Sequence, residues 1–309
     1  MRTIQAPRFG WIETVIGRES RVPGKLLITG AAGQLGQALI KCAGGEGWEV
    51  VATDVLELDI TDPQAVWREL SRQRPEVVIN AAAATQVDAL ESDPDKALKV
   101  NSFGPRNLAV ACRRLGLKLI HISTDYVFDG AKPDPYVEWD PTGPLSVYGR
   151  SKLLGEEWVR QQSPDHFIVR TAWLYGVAGP NFVTAILAQG RKLGTAGELK
   201  VVKDQRGTPT SALALAPQLM ALARTEAFGT YHATCQGETT WYGFACLILQ
   251  TAGIEVGISP CSTADFPRPA PRPANSVLDN RLLKVAGLDC MPSWEAAFQE
   301  FWEANGDYL

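Results

Sequence analysis

KLLITGAAGQLGQALIKCAGGEGWEVVATD, residues 25–54, decides the fold class. KLLITG (25–30) is a short apolar run that ends at a glycine, the signature of a strand buried on both faces of a parallel sheet. A helical pattern follows from Gln34 to about Gly44, and WEVVATD (48–54) is a second apolar run. Strand, glycine turn, helix and strand in that order make a βαβ unit.

The same rhythm continues outward. DPQAVWREL (62–70) reads as a helix with Asp62 as N-cap and Pro63 at the first helical position. EVVINAAA (76–83) is a third strand, and a long helical stretch from Pro94 to Gly116 leads into the strand KLIHIS (118–123). A helix from about Tyr148 to Gln162 precedes HFIVRTAW (166–173). Such alternation predicts an α/β fold of the Rossmann type, a doubly wound parallel sheet joined by right-handed crossovers. After residue 175 the rhythm loosens. A helix near 181–193, the strand LKVVKD (199–204), a helix near 210–224 and the short YHAT (231–234) are still readable. DFPRPAPRPANS (265–276) is an extended loop, because proline removes backbone donors. The expected organisation is an extension over 1–24 that need not be ordered, a Rossmann domain over 25–175 and a smaller lobe over 176–309. Some segments of that lobe return to the Rossmann domain.

Composition narrows the functional classes. Hydrophobic residues make up 45%, charged residues 21%, and the net charge is −4, so no basic stripe competes for nucleic acid or a membrane surface. Cys42, Cys112, Cys235, Cys246, Cys261 and Cys290 form no C-x-x-C pair, which argues against a metal site and for reduced thiols in a cytoplasm. The richest apolar stretch, Ala212–Ala223, is broken by Pro217 and Gln218 and reads as a core helix. Residues 1–24 carry mixed charge and no apolar core of a secretory signal.

Gly30-Ala-Ala-Gly33-Gln34-Leu35-Gly36 sits between the first strand and the first helix. Glycines there allow a tight turn and let backbone amides approach a pyrophosphate at the positive end of the helix. Asp54, 18 residues past Gly36, ends the second strand where an acid bonds the adenosine ribose and repels a 2′-phosphate. The expected cofactor is NADH or NADPH, with a soft preference for NADH.

Tyr148-Gly-Arg-Ser-Lys152 is the central chemical signal. Residues four apart share a helix face, so the Lys152 ammonium can lower the Tyr148 phenol pKa and also reach a nicotinamide ribose. Such a tyrosine can protonate a carbonyl oxygen as hydride arrives at its carbon. Ser123-Thr124-Asp125-Tyr126 follows the strand KLIHIS, and Thr124 there would hydrogen-bond the same oxygen.

The G-x-x-G-x-x-G spacing resembles the extended short-chain dehydrogenases. The likeness extends to Asn80-Ala-Ala-Ala83, with Ala84 and Thr85 after it, and to Asp59-Ile60, which the resemblance places beside the adenine. Asp59 could instead cap the helix starting near Asp62. STDYVFDG (123–130), PLSVYGRSKLLGE (144–156), VRTAWLYG (169–176), NFV (181–183), VKDQRGTPT (202–210), TTWYGFA (239–245) and RPANSVLD (272–279) follow in order. Together, from about Lys25 onward, they resemble the dTDP-4-dehydrorhamnose reductases. The resemblance implies reduction of a dTDP-4-keto-6-deoxysugar to dTDP-L-rhamnose, with Thr124, Asp125 and Trp173 on the sugar and the 176–309 lobe on the substrate side. Arg206, Arg268 and Arg272 are candidates for pyrophosphate contact, since guanidinium matches phosphate oxygens bidentately. Tyr126 stands where the related 4,6-dehydratases carry glutamate, which favours reduction over elimination. Ala84 departs from the polar residue expected of the reductases. Two alternatives stay open: a regulatory subunit like that of methionine adenosyltransferase, and a reductase of another nucleotide sugar. A homodimer is compatible with the sequence.

Overall fold

The structure, a computed structural model, describes residues 24–309, so the extension expected over 1–24 lies outside it but for Gly24. The first five strands are β1 (Lys25–Thr29), β2 (Glu49–Thr53), β3 (Val77–Asn80), β4 (Lys118–Thr124) and β5 (His166–Thr171). With the strand Gly229–His232 they form a six-stranded sheet in which β2 and β3 flank β1, followed by β4, β5 and Gly229–His232. Every pairing in it is parallel. Strand order reverses between β1 and β3, which stay paired to Thr29 and Asn80, and the chain leaves their carboxyl ends toward opposite faces so that a crevice opens there.

Alternation along the strands explains the two faces. Leu26, Ile28, Val77, Ile79, Ile120, Ile122, Phe167 and Val169 pack with the helices Gln34–Gly45 and Ala212–Ala223. Leu27, Val78, Leu119 and Ile168 point the other way, against Val66 and Leu70, Leu108 and Val159 from the helices Pro63–Gln73, Gly104–Leu115 and Val147–Gln162. Burial on both sides is why these strands read as apolar runs.

Three local readings change. The stretch Pro94–Gly116 is two helices, Pro94–Leu98 and Gly104–Leu115, separated by a π-helical turn at Lys99–Phe103. HFIVRTAW stops pairing at Thr171, because Trp173 takes a positive φ of 47° that turns the chain out of the sheet. LKVVKD, observed as Glu198–Val202, pairs with Gly257–Cys261 in a separate two-stranded sheet. The helices Trp241–Thr251 and Trp294–Asn305 add to this reading, the second burying Trp294, Ala297, Phe298 and Phe301 at helical spacing.

Candidate active site

The carboxyl ends of the sheet open into a cleft of about 860 Å³. Its walls include Gly30, Gly33, Gln34, Leu35, Gly36, Asp54, Asp59, Ile60, Ala83, Thr85, Thr124, Asp125, Tyr148, Lys152 and Trp173. Residues from five strand ends and two helices therefore meet at a single site.

One half suits a dinucleotide. The helix Gln34–Gly45 starts at Gly33 with no side-chain cap and no acid in its first turn, so its leading amides and positive end face the cleft. A Cβ on Gly36 would lie 2.3 Å from the Gly30 carbonyl oxygen, so only glycine lets helix and loop approach this closely. Asp54 accepts from the amides of Ala32 at 2.9 Å and Val55 at 2.8 Å, which fixes its carboxylate at the end of β2. Asp59 accepts from the Thr61 amide and stays at the cleft wall; the cap of the next helix is Asp62, which accepts from Gln64. Gln34 Oε1 and Thr171 Oγ1 are buried, line the cleft and lack a hydrogen-bond partner among the described residues. Such orphaned atoms fit a polar ligand. Ala84 is a correction: its N–H and C=O are both engaged by Asn101, and it borders a smaller cavity of about 340 Å³.

The other half carries the chemistry. Ser146 caps the helix Val147–Gln162 by accepting from the Gly149 amide, which sets Tyr148 and Lys152 one turn apart on the face toward β4. Burial raises the Tyr148 phenol to about 12, with a hydrogen bond to Thr124 working against the rise and Asp125 adding to it. Thr124 Oγ1 donates to Asp125 Oδ1 at 2.9 Å. Burial lifts Asp125 to about 6, opposed by the hydroxyls of Ser276 and Thr124. The Tyr126 ring packs edge-on against Tyr148 with centroids 5.6 Å apart. Lys152 donates to the Ile122 carbonyl at 2.6 Å; burial lowers it to about 8 and Glu156 opposes the fall.

Glu156, one further turn along, is fully buried. It accepts from Ser123 Oγ at 2.5 Å, from Arg170 Nε at 2.9 Å and Nη2 at 2.8 Å, and from Arg160. This network ties the helix to the ends of β4 and β5.

A second cavity of about 570 Å³ adjoins the first, sharing Tyr126 and Trp241 with it. Arg268 and Arg272 line it, the latter paired with Asp88 through bonds of 2.6 and 2.9 Å. Arg206 is a second correction. Its side chain forks onto Glu238 at 2.7 and 2.8 Å and bonds the Pro133 carbonyl, and it lines neither cavity. The pairing of Arg206–Gly207 with Thr239–Thr240 brings Glu238 beside it.

Sequence reasoning passed over Asn101, Thr171, Asn181 and Trp241 as individual site groups. Asn101 sits on the π turn, bonds Ala84 twice and donates to Ser151 Oγ at 3.1 Å, holding the β3 exit loop to the Tyr148 helix. Its signal is a polar Asn-Ser pair inside an otherwise helical stretch. π turns of this kind recur at functional sites.

Glycine loop, strand-end acid and a Thr–Tyr–Lys set on one cleft define an oxidoreductase of the extended short-chain dehydrogenase type. The chain belongs to the RmlD substrate binding domain family, whose model matches residues 24–306. It is 44% identical over 285 residues to a dTDP-4-dehydrorhamnose reductase of Streptomyces griseus, covering 90% of this chain and 93% of that protein. Among solved structures, a dTDP-4-dehydrorhamnose reductase from Clostridium acetobutylicum superposes with a TM-score of 0.88 at 45% identity, covering 91% of this chain and 99% of that one. The Bacillus anthracis dTDP-4-dehydrorhamnose reductase, in complex with NADP, matches with the same TM-score at 38% identity, covering 91% and 99%.

Proposed function

We propose that this chain uses NADH or NADPH to reduce the 4-keto group of a dTDP-4-keto-6-deoxysugar, dTDP-4-dehydrorhamnose, to dTDP-L-rhamnose. The observation that carries the reading is the convergence of Thr124, at the carboxyl end of β4, with Tyr148 and Lys152 on the same cleft as the uncapped glycine-loop helix.

In this reading Gly30, Gly33, Gln34, Leu35 and Gly36 hold the pyrophosphate, Asp54 the ribose, and Asp59, Ile60, Ala83 and Thr85 the adenosine side. The bound dihydronicotinamide supplies the hydride. Tyr148 donates its proton to the sugar C4 oxygen, and its high pKa keeps it protonated across the working range. Thr124 turns its one hydroxyl proton from Asp125 Oδ1 to the same oxygen while charge develops there. Lys152 provides a positive charge, held below about pH 8, beside the ribose and the phenol. Asp125 and Trp173 orient the sugar, and Arg272 reaches the pyrophosphate of the sugar nucleotide. Tyr126, where elimination would need a carboxylate, moves no proton.

The division into a Rossmann domain over 25–175 and a substrate lobe over 176–309 is part of this proposal, as are a homodimer and a cytoplasmic setting. Among the described residues no helix is long and apolar enough to cross a membrane.

The test is turnover of chemically defined dTDP-4-keto-6-deoxysugar, followed by loss of reduced cofactor, with the product identified by NMR. Formation of dTDP-L-rhamnose supports the reading. Absence of cofactor oxidation, or a product of other C4 configuration, overturns it. Light scattering of the full chain checks the dimer.

A further inference from the structure

The Trp173 indole is held in a sandwich. Its backbone φ of 47° lies in the left-handed region that bulky side chains seldom adopt, so surrounding structure must impose it. On one side the Trp241 indole stacks on it, with centroids 3.5 Å apart and planes 7° from parallel. On the other lies Gly207, where a Cβ would come within 2.2 Å of the Trp173 ring. Trp241 is itself fixed: its Nε1 donates to Gln205 Oε1 at 3.1 Å, and Phe182 packs on it at 4.5 Å.

The two arms of this sandwich are joined. Thr239 pairs with Gly207 and Thr240 with Arg206, and Thr240 then caps the helix that begins at Trp241. Trp173 lines the cleft that holds Thr124 and Tyr148, whereas Trp241 lines both that cleft and the adjoining cavity. The stacked pair therefore stands, with Tyr126, where the two adjoin.

We propose that Trp241 and Gly207 clamp the Trp173 indole as a rigid wall of the sugar site. Trp241 is thus a positioning residue that governs how well, and which, sugar rings bind. The inference rests on the sugar nucleotide being the substrate, and it explains the glycine within VKDQRGTPT and the tryptophan within TTWYGFA. Trp241 acts through Trp173 and does not move a proton.

Two variants probe it without removing the fold's supports. Trp241→Phe keeps a smaller stacked ring, and Gly207→Ala adds one methyl at a position whose backbone accepts alanine but whose neighbour is the indole. Trp241→Ala should raise the KM for the sugar nucleotide about tenfold, the order an aromatic pair is worth. Its kcat should change less, and NADPH affinity should stay as in the wild type. Trp241→Phe should recover much of the loss, and Gly207→Ala should reproduce it although no side chain is removed. The circular-dichroism couplet of two stacked indoles should be present in the wild type and absent in Trp173→Phe and in Trp241→Phe. An unchanged KM in both Trp241→Ala and Gly207→Ala would overturn the clamp, as would equal losses of sugar and NADPH binding. A wild type that turns over no sugar nucleotide instead removes the functional reading, while the couplet still reports whether the sandwich exists.

Discussion

Lys152 Nζ donates a 2.6 Å hydrogen bond to the carbonyl of Ile122, the residue two before Thr124 on β4. An ammonium buried to 3% exposure thus fixes its helix against the strand end that carries the reacting oxygen's partner. Burial has brought its pKa down to about 8, with Glu156 opposing. A lysine at that value is charged below pH 8 and loses its proton as pH rises through it.

The wild-type kcat/KM should therefore fall on the alkaline side of about pH 8. Lys152→Met should lie lower, on the order of 10²–10³-fold as for loss of one preorganised donor, and be flat across that limb. Lys152→Arg keeps charge but places its donors differently, so it should rescue only in part. Superimposable pH–rate profiles for wild type and Lys152→Met would remove the lysine from the chemistry.

Tyr148→Phe keeps the ring packed on Tyr126 and deletes only the acidic hydroxyl. General acid catalysis contributes roughly 10²–10⁴-fold, so kcat should drop within that range. Cofactor affinity, followed by fluorescence of the reduced nicotinamide, should barely move. Near-normal turnover is the outcome that ends the assignment.

Asp54 has both carboxylate oxygens engaged by loop amides, which places a fixed negative charge at the end of β2. Asp54→Asn removes the charge while leaving one acceptor for those amides. The kcat/KM ratio of NADPH to NADH should rise about tenfold, a difference of about 1.4 kcal/mol. No change in the ratio would show that another group sets cofactor choice.

How much of this was legible beforehand follows from the range of the interactions. The parallel sheet was readable because Leu26–Ile28, Val77–Ile79 and Leu119–Ile120 are buried on both faces and leave an unbroken apolar run. The Tyr148 and Lys152 geometry was readable because helical spacing alone puts residues four apart on one face. Arg206 was not, since its position in a two-residue strand says nothing of Glu238, 32 residues away, which captures it. Trp241 and Asn101 were hidden for the same reason: stacking on Trp173 and a π turn against Ala84 are products of tertiary packing.

The two arginines now separate experimentally. Arg272 lines the second cavity with Asp88 holding its guanidinium, whereas Arg206 is spent on Glu238. Arg272→Ala should raise the sugar-nucleotide KM roughly tenfold or more, as expected of a lost charge-assisted hydrogen bond. Arg206→Ala should leave it within about twofold, since exposed ion pairs contribute about 0–1 kcal/mol. The reverse ranking in steady-state kinetics would reinstate Arg206 as the pyrophosphate contact.

Glu156 supports the site without reaching the cleft. Arg170 is 3% exposed and has Glu156 as its paired carboxylate, so Glu156→Ala leaves a buried guanidinium without a counter-charge. Removing one partner of a buried pair typically costs about 3–5 kcal/mol. Glu156→Gln, which retains acceptor and shape, should cost less but still lower Tm. The pH dependence has a definite sign. Burial works to raise the Glu156 pKa, but Arg170, Ser123 and Arg160 together outweigh it and hold the carboxyl below its ordinary 4.5. A depressed carboxyl contributes stability that is complete above 4.5 and is lost as pH falls through the lower folded value. The Tm gap between wild type and Glu156→Gln should accordingly be widest near neutrality and narrow below about pH 4. A gap that is constant with pH would mean that Glu156 acts by shape rather than by charge.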